Sequence, residues 1–145
     1  GMGAPYWRSD ARGLITGLTR DSDWKTLVRA TVESVAYQSY DLFRSMSKDG
    51  LKPKIIKIDG GMVANNWFSQ FLSDIIDLQV IRPKILETTA LGVAVFAGYK
   101  SGVFKSLNEI TSLWKKDRDF KPKISKANRN NLIKGWNLAI KRTLV

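Results

Sequence analysis

Between residues 54 and 102 the apolar residues follow two patterns in turn: short runs typical of strands and the three- to four-residue spacing typical of helices. The stretch "KIIKIDGG", residues 54–61, is a short isoleucine-rich run that ends at a glycine pair, which is typical of a buried strand. The next apolar residues recur at i, i+1, i+4 and i+5, which predicts an amphipathic helix capped by Asn65 or Asn66. They are Trp67, Phe68, Phe71, Leu72, Ile75 and Ile76.

A second strand and a second helix follow directly. "DLQVIRPK" predicts a short strand closed by Pro83, and "ETTALGVAVFAGYKSG" predicts a helix with Glu87 near its start and Gly102 just past its end. Because strand, helix, strand and helix come in that order, we expect a parallel strand pair joined by a right-handed crossover. Small residues keep the second helix thin, which permits close approach to a neighbouring strand; they are Ala90, Gly92, Ala94, Ala97 and Gly98.

The flanking segments predict further elements. Gly13–Leu18 has the pattern of a short strand. Asp21, Ser22 and Asp23 offer N-cap oxygens for a long helix that ends at Gly50. Its apolar stripe predicts a core-facing side, formed by Trp24, Val28, Thr31, Val35, Gln38, Leu42 and Met46.

The last third of the chain predicts helices joined by a charged connector. "VFKSLNEITSLW" suggests a short helix, and a basic connector leads to a final helix. One face of that final helix carries Leu132, Trp136, Ile140 and Leu144. The pattern as a whole predicts an α/β domain of 145 residues, with at most three short strands for four or five helices.

Composition excludes several kinds of chemistry. The chain has no cysteine and no histidine, so disulfides, thiolate or imidazole metal sites and His-dependent nucleophiles are ruled out. No apolar run approaches the roughly 20 residues that cross a bilayer, and we expect a cytoplasmic protein without a membrane partner. The formal net charge is +11, and the densest basic stretch is Lys115–Arg129. No nucleic-acid-binding motif accompanies it, so a solvated basic face is the simpler interpretation and nucleic-acid binding the alternative.

The glycine turn at 60–61 allows two interpretations. Gly60 and Gly61 lack Cβ atoms where a backbone must approach a phosphate or an adenine, and the following helix directs free N–H groups to that place. Alternatively, the two glycines only make a tight strand-to-helix turn that Asp59 and Asn65 cap. Taken by itself a double glycine favours the second interpretation, because it matches neither a Walker A loop nor a GxGxxG fingerprint.

Candidate catalytic groups are scattered. Isolated charged residues with no partner at a spacing that fixes a mechanism are Asp10, Arg12, Glu33, Asp59, Asp74 and Glu87. The residues alone therefore predict neither a catalytic group nor a metal ligand.

Four stretches together resemble the C-terminal part of glycerol kinases, which belong to the FGGY carbohydrate kinases. They are "GMGAPYW…ARGLITGLT", "RATVESVAYQSYDL", "IDGGMVANNWFSQFLSDI" and "TALGVAVFAG". The resemblance continues through "RDFKP" and "GWNLAIKR" near the end, and so covers nearly the whole chain in order. It implies that residues 1–145 are the C-terminal part of the second, nucleotide-binding domain. The implied fold is a partial RNase H-like (actin-like ATPase) domain with a short, mainly parallel sheet and flanking helices.

The resemblance also implies a reaction and a site. Members of the family transfer the γ-phosphoryl group of MgATP to glycerol, giving sn-glycerol 3-phosphate and ADP. By this resemblance Gly61 and Asn65 contact the nucleotide, with Gly60 and Ala64 as neighbours. Met62 stands where an alanine is common, which enlarges the side chain beside that site.

The resemblance places the other half of the cleft outside these residues. The N-terminal domain, the catalytic aspartate, the glycerol pocket and the Mg²⁺ ligands of the family all lie upstream. We therefore expect no catalytic residue here and no kinase activity from this chain alone. A truncated sheet predicts self-association, or pairing with an N-terminal kinase piece. A non-catalytic remnant of a split kinase gene, acting as a binding or assembly module, is the alternative function.

Overall fold

The computed structural model describes residues 1–145, which form five helices and three strands. In chain order these are α1 (Trp24–Lys48), β1 (Ile55–Lys57), α2 (Asn66–Ile76), β2 (Gln79–Pro83), α3 (Thr88–Lys100), α4 (Leu107–Thr111), β3 (Lys116–Phe120) and α5 (Lys126–Thr143). A short 3₁₀ turn, Gly61–Ala64, lies between β1 and α2. No helix combines the length and the apolar composition needed to cross a membrane.

The three strands form one mixed sheet in the order β1-β2-β3. β1 pairs with β2 in parallel, as the strand–helix–strand pattern predicts, with Ile56 opposite Val80. β3 pairs with β2 antiparallel, with Phe120 opposite Val80. The α/β class is confirmed, but the sheet has one parallel and one antiparallel pair and is not mainly parallel.

The third strand comes from the basic stretch that the sequence pattern predicts to be a connector. β3 has the sequence KDRDF; its first three residues are exposed and Phe120 is buried at its end. A charged strand fits this position because it lies at a sheet edge, where side chains can reach water. The sequence of β3 therefore shows almost no alternation of apolar and polar residues, and hydrophobic periodicity does not predict this strand.

The strand predicted at Gly13–Leu18 is wrong. Residues 11–19 form neither a helix nor a strand. Leu14, Ile15 and Leu18 are 45%, 65% and 59% exposed, so the apolar side chains of this segment are not buried as those of a core strand would be. Gly17 has φ +82, which also departs from extended backbone.

The core lies where α2 packs between α1 and the sheet. Ile75 on α2 and Val80 on β2 are fully buried. Tyr37 on α1 meets Phe71 on α2 edge to face, with ring centroids 5.6 Å apart, and stacks on Trp136 of α5 at 5.3 Å. The predicted helix from Trp67 to Ile76 is thus confirmed, and every apolar member of its stripe except Trp67 is buried. The final helix is confirmed as α5.

α1 begins and ends where the sequence predicts, but its core-facing side is different. Asp23 caps its N-terminus, and Gly50 follows its end with φ +90. Its buried residues are Ala36, Tyr37 and Asp41, and residues 23–31 are all exposed. The predicted stripe is wrong for two reasons. The elements that pack on α1 leave the apolar side chains of its first turns exposed, and in its second half they cover the face of the three buried residues, so that Gln38 and Leu42 of the stripe are exposed as well.

α3 is present as predicted, but it is not packed closely on a strand. Val95 is its only buried residue, whereas Val93 and Phe96 are 69% and 70% exposed. Its small residues permit close contact with a strand, but no strand of this chain packs closely on them. No element of the chain covers the outer face of α3, and we call Val93 and Phe96 the α3 apolar face.

Candidate functional site

The glycine turn follows β1 and opens toward solvent. Gly60 has φ +88, a conformation that residues with a Cβ adopt only under strain, and its N–H donates to Leu86 O over 2.8 Å. Gly61 begins the 3₁₀ turn, and a Cβ built there would meet no atom within 4 Å. Both glycines face open space that a ligand can occupy, but only Gly60 has a positive φ, so an added Cβ would strain the backbone at Gly60 and not at Gly61.

Asn65 links the turn to α2 as its N-cap. Its side-chain Oδ1 accepts hydrogen bonds from Trp67 N at 2.9 Å and from Phe68 N at 3.3 Å. The cap predicted for this helix is confirmed. Asn65 is exposed, and its side-chain Nδ2 makes no hydrogen bond within the chain. One half of the amide thus holds the helix, and the other half is free for a ligand.

The first peptide N–H groups of the turn are also free. The first hydrogen bond inside the turn runs from Val63 N to Gly60 O at 3.3 Å, so the N–H groups of Gly61 and Met62 come before it. Both residues are exposed. Together with the Asn65 amide they make a small group of donors at the positive end of α2, which suits an anionic or polar ligand.

A buried arginine lies under the turn and was not predicted from the sequence. Arg82 on β2 donates from Nη1 to Val63 O at 2.8 Å and to Ala64 O at 3.1 Å. Its Nε and Nη2 donate to Asp117 Oδ2 on β3 at 2.8 and 2.6 Å. Ser69, fully buried on α2, adds a hydrogen bond of 3.0 Å from Oγ to Val63 O.

The turn is joined on its other side to the start of α3. Thr88 Oγ1 donates to Asp59 Oδ2, and Gly60 N donates to Leu86 O. The carboxyl end of β1 and the loop after β2 therefore lie together at one edge of the sheet. Ligands of open α/β sheets bind at that edge.

Comparison with known proteins decides the family of this chain. Residues 1–101 match the model described as the C-terminal domain of the FGGY family of carbohydrate kinases. The chain belongs to the FGGY family. The model ends at residue 101, so the assignment of residues 102–145 to the same domain stays a prediction.

Relatives of this FGGY chain include glycerol kinases. It is 52% identical to the glycerol kinase of Gluconobacter oxydans over 99% of its own length, and covers 28% of that protein. It is 49% identical to the glycerol kinase of Alteromonas mediterranea over 98% of its own length, and covers 29% of that protein. The chain thus spans less than a third of the relatives it matches.

Solved structures agree with the family. The chain matches a crystal structure of Plasmodium falciparum glycerol kinase with ADP at a TM-score of 0.83 and 38% identity, covering 100% of this chain and 29% of that one. A xylulose kinase of Lactobacillus acidophilus, 24% identical, has a TM-score of 0.71 and shares the fold. The actin-like ATPase fold implied by the resemblance is confirmed.

An open cleft adjoins Asn65 in this FGGY domain. It has a volume of about 340 Å³ between the first turns of α1 and the start of α2. Its apolar walls are Trp24, Val28, Val32 and Trp67, and Lys25 and Arg29 are its basic residues. The Arg29 guanidinium lies 5.6 Å from the centre of the Trp67 ring and pairs with Glu33 at 2.6 Å. No sequence motif indicates this cleft, because its residues come from two separate segments, residues 24–32 and 65–67.

Most of the isolated charged residues of the sequence have structural partners within the chain, whereas the Glu87 side chain makes no hydrogen bond or ion pair. Buried Asp74 accepts from Lys123 N at 2.6 Å and from Gln70 Nε2 at 3.0 Å. Glu33 pairs with Arg29, and Asp59 with Thr88. No group of three or more acidic side chains comes together where a metal ion could be held.

The N-terminal stretch is held by its own ion pair. Arg8 donates to both carboxylate oxygens of Asp10, at 2.9 and 2.7 Å. The hydrogen bond from Arg8 lowers the pKa of Asp10 to about 2. Arg12 donates to Asp10 O at 2.7 Å. Asp10 and Arg12 therefore stabilise a local loop and do not meet the glycine turn.

Proposed function

We propose that this chain is the C-terminal nucleotide-binding portion of a glycerol kinase. In the complete enzyme, the γ-phosphoryl group of ATP passes to glycerol, giving sn-glycerol 3-phosphate and ADP. The 52% identity to the Gluconobacter oxydans glycerol kinase over nearly the whole chain supports glycerol over another sugar as the acceptor. The cytoplasmic location stays a prediction.

One observation carries the nucleotide-binding proposal: the glycine turn presents unpaired donors beside open space at the N-terminus of α2. We propose that the main chain at Gly61 approaches the nucleotide and that Asn65 donates from Nδ2, with Gly60 and Ala64 as neighbours. A Cβ at Gly61 would project into the space the ligand needs. The exposed Met62 side chain lies beside it, at 47% exposure.

The cleft beside Asn65 adds support. Indole and valine side chains offer apolar surface to a base, and Lys25 and Arg29 add positive charge near a phosphate chain. Phosphoryl transfer depends mainly on positioning and on charge neutralisation around the γ-phosphate. Within this mechanism the chain's own residues bind and orient the nucleotide.

Mg²⁺ would accompany ATP in the complete enzyme and neutralise phosphate charge. Proteins bind it through one or two carboxylates together with substrate phosphates. As the resemblance to glycerol kinases implies, we propose that the Mg²⁺ ligands and the catalytic residue lie outside residues 1–145.

We further propose that the exposed apolar surfaces are covered by the remainder of the kinase. The chain is 28% of the length of its Gluconobacter oxydans relative, so most of such an enzyme lies outside it. The α3 apolar face and the first turns of α1 would otherwise stay in water. Self-association of the isolated chain through the same surfaces is the competing outcome.

The experiment is to compare Gly61→Ala with Gly60→Ala in the complete kinase, using calorimetric binding of ADP and the thermal midpoint. We expect Gly61→Ala to keep the midpoint and to weaken ADP binding by about tenfold, because its Cβ occupies ligand space. Gly60→Ala is the control, and we expect it to lower the midpoint because φ is +88 there. Unchanged ADP affinity in Gly61→Ala would contradict the proposal.

A further inference from the structure

Arg82 joins the glycine turn to the far edge of the sheet. Its guanidinium has donors on two sides, and both sides are used: Nη1 bonds to the carbonyls of Val63 and Ala64, while Nε and Nη2 bond to Asp117. The Arg82 side chain is only 11% exposed. A lysine ammonium is a single point of charge and cannot reproduce this two-sided fork.

Stability alone does not account for a charged group here. Burying a guanidinium costs hydration energy that its ion pair only partly offsets, and an apolar residue of similar size is often as stable. Asp117, the partner, is 41% exposed, which further weakens the pair through solvent screening. What the arginine supplies instead is a fixed position for two consecutive carbonyls of the turn.

Those two carbonyls stand between the proposed ligand contacts. Val63 and Ala64 follow Gly61 and precede Asn65, so fixing their peptide planes fixes the relative placement of the Gly61 N–H and the Asn65 amide. Ser69 holds one of the same carbonyls from α2. We propose that Arg82 is a positioning residue for nucleotide binding: it holds the turn in the shape that brings its donors to the ligand. This inference rests on the proposed function.

A matched control exists at the other end of α2. Arg129 on α5 pairs with Asp77, the residue that follows the end of α2, and the Arg129 side chain is 12% exposed. The two arginines thus have equal burial and the same type of partner. Only Arg82 contacts the glycine turn.

The test uses Arg82→Met, Arg82→Lys and Arg129→Met in the complete kinase, with ADP dissociation constants and the KM values for ATP and glycerol. We expect both Arg82 variants to weaken ADP binding and to raise the KM for ATP by about tenfold, because misplacement of binding groups is costly. The KM for glycerol stays unchanged. Arg129→Met lowers the thermal midpoint but leaves ADP affinity within about twofold.

A second measurement, on the complete kinase, is made in the absence of nucleotide. Amide hydrogen exchange at Val63 and Asn65, whose N–H groups bond inside the turn, is expected to be faster in Arg82→Lys than in Arg129→Met. Unchanged amide exchange in Arg82→Lys would overturn the role proposed for Arg82. So would an unchanged ADP affinity of the Arg82 variants when Gly61→Ala binds ADP weakly, and in that case the proposed function would still stand. If Gly61→Ala also binds ADP normally, the proposed function fails as well.

Discussion

Trp136 donates a hydrogen bond from its indole Nε1 to Asp41 Oδ2 over 2.7 Å, although the two residues lie 95 positions apart. Tyr6 OH donates to the same oxygen at 3.0 Å. Asp41 itself is only 3% exposed. One buried carboxylate on α1 therefore joins the N-terminal segment and the last helix to the core.

Loss of that carboxylate is expected to destabilise the chain strongly. Asp41→Ala removes the acceptor of two hydrogen bonds and leaves their half-buried donors unpaired, so we predict a loss of about 2–4 kcal/mol in the free energy of unfolding. Urea denaturation of the 145-residue chain measures it. Asp41→Asn keeps an acceptor oxygen and is expected to lose less.

The exposed Asp21 provides the comparison for Asp41. Asp21→Ala is predicted to change stability by less than about 0.5 kcal/mol, because its side chain has no buried partner. Equal losses in the Asp41 and Asp21 variants would mean that the carboxylate does not hold the N-terminal segment and α5 together.

Stability is expected to depend on pH through Tyr6. Burial and the hydrogen bond to Asp41 raise the pKa of Tyr6 from 10.0 to about 12. The folded state thus retains a proton that the unfolded state has lost, so this contribution is complete below pH 10 and is lost as pH rises toward 12. Denaturation midpoints of wild type and Tyr6→Phe from pH 8 to 12 measure it. We expect their difference to shrink with rising pH, and a constant difference would exclude the linkage.

The isolated chain is expected to have no kinase activity. By the proposed function, it contains one side of a nucleotide site and neither the acceptor pocket nor a catalytic group. A coupled assay with ATP, Mg²⁺ and glycerol is predicted to give no glycerol-dependent ADP above a blank without protein. ADP formation that requires glycerol and is proportional to the concentration of the pure chain would refute this.

The α3 apolar face is expected to form an interface in the complete kinase. Phe96→Asp leaves the isolated chain folded, since this side chain is 70% exposed, but is predicted to destabilise the complete kinase by about 2 kcal/mol or more. Thermal denaturation of both proteins is the measurement, with the exposed Lys100→Asp on the same helix as control. If Phe96→Asp has no effect on the complete kinase but abolishes self-association of the isolated chain in sedimentation, the α3 apolar face is an interface between copies of this chain instead.

Sequence patterns predicted the elements that build the site because both periodicities are strong there. The isoleucines of β1, the stripe of α2 and the cap at Asn65 are local signals, and the parallel pairing of β1 with β2 follows from their order. The resemblance added Gly61 and Asn65 as ligand contacts. That assignment stays a prediction, which the free Nδ2 and the open space at Gly61 support.

What the patterns could not predict depends on neighbours. β3 is charged because it lies at an edge, and no alternation marks it. In the sequence, the first half of α1 and the α3 apolar face have the same pattern as a helix face that packs in the core. The pattern shows that a helix face is apolar, but it does not show whether another element of the chain covers that face. Arg82 gave no signal because its partners lie 18, 19 and 35 positions away.

Asn65 allows the most direct test of the nucleotide site, because its two roles can be separated. Asn65→Ala removes both the helix cap and the free amide, whereas Asn65→Ser keeps a capping oxygen and removes only the amide. In the complete kinase we predict that Asn65→Ala lowers stability by about 1 kcal/mol and that Asn65→Ser stays within about 0.5 kcal/mol of wild type.

The decisive quantity is the dissociation constant of ADP for these two variants, measured by calorimetry. We predict that both bind ADP about five- to tenfold more weakly than wild type, because each lacks the Nδ2 donor. If Asn65→Ser binds ADP as tightly as wild type, Asn65 is a helix cap and not a nucleotide contact.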